Sequence, residues 1–221
     1  MLQKLNTSMH KKIAVILLTA VASQACADEG HSPSGAQSHA PIGVMGDHIH
    51  KKGEFMFSYR FMQMGMEANR NRGDDLRPEE VIRFENTFAG RPMQPPLLRV
   101  VPLEMTMDMH MFGAMYAPSD KLTLMLMTNY LEKTMDHVTF NGNGEPLGFF
   151  TTETDGIGDT SLSALINWAD NVHATVGVSL PTGSIEETGE ILTPMGQTPT
   201  VRLPYPMQLG SGTYDVIIGL T

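Results

Sequence analysis

The sequence predicts an all-β protein: an antiparallel up-and-down transmembrane β-barrel, with about six strands present in this chain. Three observations predict it. Long segments alternate between apolar and polar side chains, which is the period of a β-strand. Several are long enough to cross a bilayer, which takes about 9–11 tilted residues against about 5–6 in an ordinary globular strand. Their connections alternate between three or four residues and long polar stretches, as periplasmic turns and extracellular loops do in outer-membrane barrels.

A leader comes first. Lys11 and Lys12 precede the short apolar run Ile13–Ala22, and Ala25-Cys26-Ala27 supplies a small-x-small cleavage pattern, so residues 1–27 read as a signal peptide. Acylation of Cys26 is the lipoprotein alternative, but Ser23-Gln24-Ala25 lacks the usual upstream aliphatic residue. Cleavage after Ala27 removes the only cysteine, and with it disulfides and thiolate metal sites. It also removes Lys4, Lys11 and Lys12 and no acid, so the formal charge moves from −9 to −12. An acidic chain without basic clusters excludes nucleic acid as a partner. Residues 28–52 form a His/Gly/Ser-rich periplasmic segment, and residues 53–221 the partial outer-membrane barrel.

The first strand, Glu54–Met66, sets Phe55, Phe57, Tyr59 and Phe61 against Met56, Ser58, Arg60, Met62, Met64 and Met66. The second, Leu103–Ala117, sets Met105, Met107, Met109 and Met111 against Glu104, Thr106, Asp108 and His110. Taking the polar set as the lumen, these four methionines are expected to face lipid. A tight turn at Ala117-Pro118-Ser119-Asp120 leads into Lys121–Met135, where Leu122, Leu124, Leu126 and Tyr130 oppose Lys121, Thr123, Met125, Met127, Asn129 and Lys133. The fourth strand, Asp159–Trp168, turns at Ala169-Asp170-Asn171 into the fifth, Val172–Leu180, which points His173, Thr175 and Ser179 inward. The sixth, Thr213–Thr221, presents Tyr214, Val216, Ile218 and Leu220 on one face. Glu67–Pro102, Asp136–Gly158 and Pro181–Gly212 are the long loops, with a turn or two of helix over Arg77–Phe84. Trp168 and Tyr130 lie where an aromatic girdle would sit. Bacterial single-chain barrels start at about eight strands, so the chain is read as truncated, without the strands that would close it.

Four stretches carry a family resemblance: Gly43-Val44-Met45-Gly46-Asp47-His48-Ile49-His50, Thr154-Asp155-Gly156-Ile157-Gly158-Asp159, Leu180-Pro181-Thr182-Gly183, and Leu209-Gly210-Ser211-Gly212-Thr213-Tyr214-Asp215. In this order and spacing the chain from about residue 43 resembles the outer-membrane β-barrel transporter-like family of the MetA-pathway of phenol degradation type. The resemblance implies a channel for hydrophobic or aromatic compounds and brings no catalytic residues.

Glu54, Arg60, Asp108, His110, Lys121, Lys133 and His173 are the expected lumen-lining polar residues, setting selectivity as charged rings do in pores. The expected partners are outer-membrane lipid, the barrel-assembly machinery and a small solute, in the outer membrane of a Gram-negative bacterium. A second reading comes from soft donors. Thioethers suit Cu(I) and imidazoles suit Cu(II), so His48, His50, Met62, Met64, Met66, Met125 and Met127 are candidate ligands, with copper the cofactor they would hold. A soluble periplasmic β-protein is the third. No nucleophile elbow, phosphate loop, zinc-hydrolase or dinucleotide pattern occurs, so no enzyme is expected.

Overall fold

A computed structural model describes residues 50–90, 94–169 and 172–220; the leader and nearly all of residues 28–52 lie outside them. Five strands carry most of the sheet: β1 (Phe55–Glu67), β4 (Val100–Ser119), β5 (Leu122–Phe140), β6 (Pro146–Ile157) and β7 (Thr160–Ala169). β8 (Val172–Leu180) and β11 (Asp215–Leu220) complete it. All pairs are antiparallel, in the order β1–β4–β5–β7–β8–β11, with β6 also on β5. The long connections hold small hairpins, β2 (Asn69–Asn71) with β3 (Asp74–Leu76), and β9 (Thr188–Glu190) with β10 (Thr200–Arg202). The first connection also holds α1 (Pro78–Val81), the helical turn expected there.

One connection differs from expectation. The segment 136–158 is not a loop: β5 continues to Phe140, turns through residues 141–145 and returns as β6. Asn141 makes the turn, its Oδ1 accepting from the N–H groups of Asn143 (2.9 Å) and Glu145 (3.0 Å). β6 pairs with Tyr130–Phe140 and β7 with Leu122–Met127, so the two are one span interrupted at Gly158-Asp159. Glycine is required at the interruption by close approach: a Cβ on Gly158 would lie 1.9 Å from Asn129 Oδ1.

The register assigns the two faces. One face carries apolar rows that run through every span, Phe55–Tyr116–Leu124–Ala164–Val176–Ile218 and Phe57–Ala114–Leu126–Leu162–Val178–Val216. Most of these side chains are open to the surroundings, Phe57 79% and Ile218 80% exposed, while Ala114, Ala164 and Val178 are half-buried. From Leu122 to Tyr130 the apolar band covers about 27 Å of strand at about 3.4 Å per residue. Beyond Tyr130 the same face turns polar, in rows such as Gln63–Asp108–Glu132–Asp155 and Glu67–Glu104–Asp136–Thr151.

The two long connections cover opposite faces at that end. Val81 and Ile82 bury themselves against Val101, Val138 and Phe140, past the polar rows. The connection between β8 and β11 lies instead on the other face, where Leu203 and Met207 pack onto Met105 and Met135. That second face, the one under the β8–β11 connection, is the inner face.

Candidate functional site

The inner face is lined by methionine. β1 contributes Met56, Met62, Met64 and Met66, which stand opposite Met115, Met109, Met107 and Met105 of β4. β5 adds Met125 opposite Met115, Met135 opposite Met105, and Met127 opposite Gly113. With Met111, opposite Arg60, all twelve methionines of β1, β4 and β5 share this face. The alternation along each strand is as the sequence predicts, but the split of the methionines into lumen and lipid sets is not. Met105, Met107, Met109 and Met111 join Met62, Met64 and Met66 instead of opposing them, because directly paired residues point to the same side.

The same register corrects two expected lumen residues. Asp108 pairs with Gln63 and His110 with Phe61, placing both on the apolar-band face and opposite Arg60. His110 belongs to an aromatic cluster there: its Nδ1 is 2.8 Å from the Tyr59 hydroxyl, and its ring centroid is 5.1 Å from that of Phe61. Asp108 sits where that face turns polar, so its charge does not call for a lumen.

Glu54, Arg60, Lys133 and His173 stand on the inner face, though not as one ring. Arg60 lies mid-strand, beside Met111. Lys133 is buried, its ammonium donating to the carbonyls of Pro206 (2.9 Å) and Gln208 (2.5 Å). It fastens the β8–β11 connection to the sheet. Thr154 and Thr139 do the same, donating to the carbonyls of Met207 (2.8 Å) and Leu192 (2.7 Å). His173 is buried at the short-turn end opposite Asn167. Lys121 is exposed in the β4–β5 turn. Glu54 lies just before β1, where its carboxylate accepts from the Lys51 N–H (2.8 Å) and approaches His50 Nδ1 (3.5 Å). Met62, Met125 and Met127 are half-buried, whereas Met64 (38%) and Met66 (40%) are more open. His48 lies outside the described residues.

Sequence reasoning missed a polar knot that holds the connections. The Asp159 carboxylate accepts from the N–H groups of Gly183 (3.0 Å) and Ser211 (2.8 Å), while the Thr182 hydroxyl donates to the Gly158 carbonyl (2.9 Å). Burial pushes the Asp159 carboxyl up, but bonds from the Ser211 side chain and from these two N–H groups outweigh it and hold the acid below its usual range. Three stretches that looked like separate turn motifs therefore meet in space: 154–159, 180–183 and 209–215. Gln208, also missed, is buried and braces the connection from within, donating to the carbonyls of Leu203 (2.8 Å) and Glu187 (3.2 Å). The signal for the knot was present in the repeated Gly-Asp and Gly-Ser pairs; Gln208 offered none.

No protein-family model, curated protein or solved structure matches the chain.

Proposed function

We propose that the protein is an outer-membrane β-barrel channel that passes a small solute along its methionine-lined face. One observation carries the reading: rows of Phe, Tyr, Leu, Val and Ile cross every span of the sheet and stay exposed, while the opposite face holds thioethers and a folded connection. In water an apolar surface this continuous marks an interaction site. In a bilayer it is the lipid-facing side of a barrel, whose apolar band is about 25 Å tall with aromatic girdles at its edges. Tyr59, Tyr130 and His110 occupy one such edge, between the apolar rows and the acidic ones.

The inner face supplies the path. Its thioethers are apolar and polarisable, which suits a weakly polar or aromatic solute of the kind the family resemblance implies. Arg60 adds one cationic point, and the β8–β11 connection narrows the path where Lys133, Thr139 and Thr154 fasten it. The chain's part is to orient and select; no bond is made or broken.

The test is outer-membrane fractionation with gel mobility before and after boiling, followed by single-channel recording. Partition to the outer membrane, a boil-dependent shift and discrete conductance steps are expected. A water-soluble protein of unchanged mobility would overturn the reading and make the apolar band a protein interface.

A further inference from the structure

The methionines of β1, β4 and β5 are confined to one face. On the apolar-band face of β1, β4 and β5 the large apolar residues are Phe, Tyr and Leu, with no methionine among them, and the inner face of the same strands takes all twelve. Methionine is ordinarily a flexible gap-filler, and Met105 and Met135 serve as such, buried beneath Leu203 and Met207. Met56 and Met125 are half-buried, and Met115 is buried between them without belonging to that packed cluster. They form one row across three adjacent strands at the short-turn end, Met56 opposite Met115 and Met115 opposite Met125.

Two neighbouring positions on that face are polar. Glu54 lies two residues before Met56, and Thr123 two residues before Met125. The His50 N–H donates to Thr123 Oγ1 (3.1 Å), which brings the histidine to the same end of the face, and its Nδ1 lies 3.5 Å from the Glu54 carboxylate. Three thioethers thus occupy one row, with Glu54 and Thr123 two residues away on their own strands and His50 held beside both. Strands in a sheet are about 4.8 Å apart, and a methionine with three rotatable bonds spans that gap readily.

We infer that Met56, Met115 and Met125, with the imidazole of His50, form a binding site for a soft monovalent metal ion of the Cu(I) class. Thioether sulfur prefers such ions, imidazole accepts them, and hard divalent cations favour oxygen ligands instead. Glu54 supplies negative charge beside the ion without having to coordinate it. The cations on the face are distant: Arg60 is four residues along β1 from Met56, and Lys133 is tied to backbone carbonyls further along β5. Lys51, Lys52 and Lys121 are exposed around the turn. The inference rests on strand register and stands apart from the channel reading.

The full chain, folded in detergent, is titrated with Cu(I) against a chromophoric chelator and with Ag(I) as a redox-inert probe. Wild-type protein is expected to take one tight equivalent, with sulfur scattering at the copper absorption edge. M56L/M115L preserves volume and is expected to weaken binding at least tenfold, and H50A to weaken it and remove nitrogen scattering. M105L/M135L, altered in the packed cluster, is expected to bind as wild type. If M56L/M115L does not fold, the half-buried M56L alone is expected to lose affinity several-fold. Absence of a tight equivalent in the wild type, equal binding by the Met56 variants, or scattering from nitrogen and oxygen alone would overturn the inference. Solute conductance is read separately, so a channel that ignores copper and a copper site in a non-conducting protein are distinct results.

Discussion

Gly183 and Gly210 lie backbone against backbone: a Cβ on Gly210 would fall 2.3 Å from the Gly183 carbonyl oxygen, and one on Gly183 would fall 2.6 Å from Gly210 Cα. Backbone cannot retreat as a side-chain tip can, so G210A must push the two ends of the connection apart. The expected loss is about 1–3 kcal/mol, as for other overpacked sites. Denaturant unfolding in detergent reads it, and an unchanged midpoint would show that the approach is slack.

Asp159 makes the same junction sensitive to acid. Its carboxyl is held below the ordinary range in the folded chain, so its contribution is full above the unfolded carboxylate pKa of about 4. That contribution is lost as pH falls through the lower folded value. D159N replaces one accepting oxygen with a donor facing an N–H. The expected cost at neutral pH is about 1.5 kcal/mol, the low end for a charge-assisted bond because the carboxyl is partly solvated. The gap between wild type and D159N should close in acid; a gap independent of pH would assign the stability to shape alone.

Val216 stands in the middle of the apolar band and is 74% exposed. V216K therefore separates the two surroundings that band could have. At a bilayer midplane a lysine costs about 2–4 kcal/mol. On a surface in water the same change stays within about 0.5 kcal/mol. Refolding equilibria in lipid vesicles distinguish these, and a neutral result would remove the lipid-facing assignment.

Lys133 holds the β8–β11 connection through two carbonyls, so K133M should release it. Faster amide exchange and proteolysis over residues 181–212 are expected, with about 1.5–3 kcal/mol less protection, and a larger conductance if that connection narrows the path. The paired residues of β7 and β8 should keep wild-type exchange, because neither depends on the ammonium.

The alternation of β1 made that strand legible to within a residue of its bounds, and the apolar face of β8 did the same. β6 escaped because its faces are mixed: Leu147, Phe149 and Ile157 share one with Thr151, Glu153 and Asp155, so no amphipathic period marks it. It is a strand because β5 pairs with it. The inner methionines show a second limit. Alternation along β4 separates Met107 from Asp108, but only pairing with Met64 and Gln63 tells which of them shares the face of Arg60. An acidic residue does not mark the methionine face here, because β4 extends past the apolar band, where the residues continuing that band's face are polar. The knot at Asp159 was visible only as isolated turn pieces, since their meeting depends on how two distant connections fold.

The interrupted span carries a consequence for the order in which the molecule assembles. β4 reaches β5 across two residues, and β5 reaches β6 across five. β1 reaches β4, and β8 reaches β11, only after more than thirty residues each. Loop-closure entropy rises slowly, yet this difference still amounts to about 2 kcal/mol. The central ribbon β4–β5–β6–β7–β8 therefore forms from near neighbours, and β1 and β11 join it late. The last strands to dock are the two that bound the sheet, so its margins stay available for lateral pairing until the middle is complete.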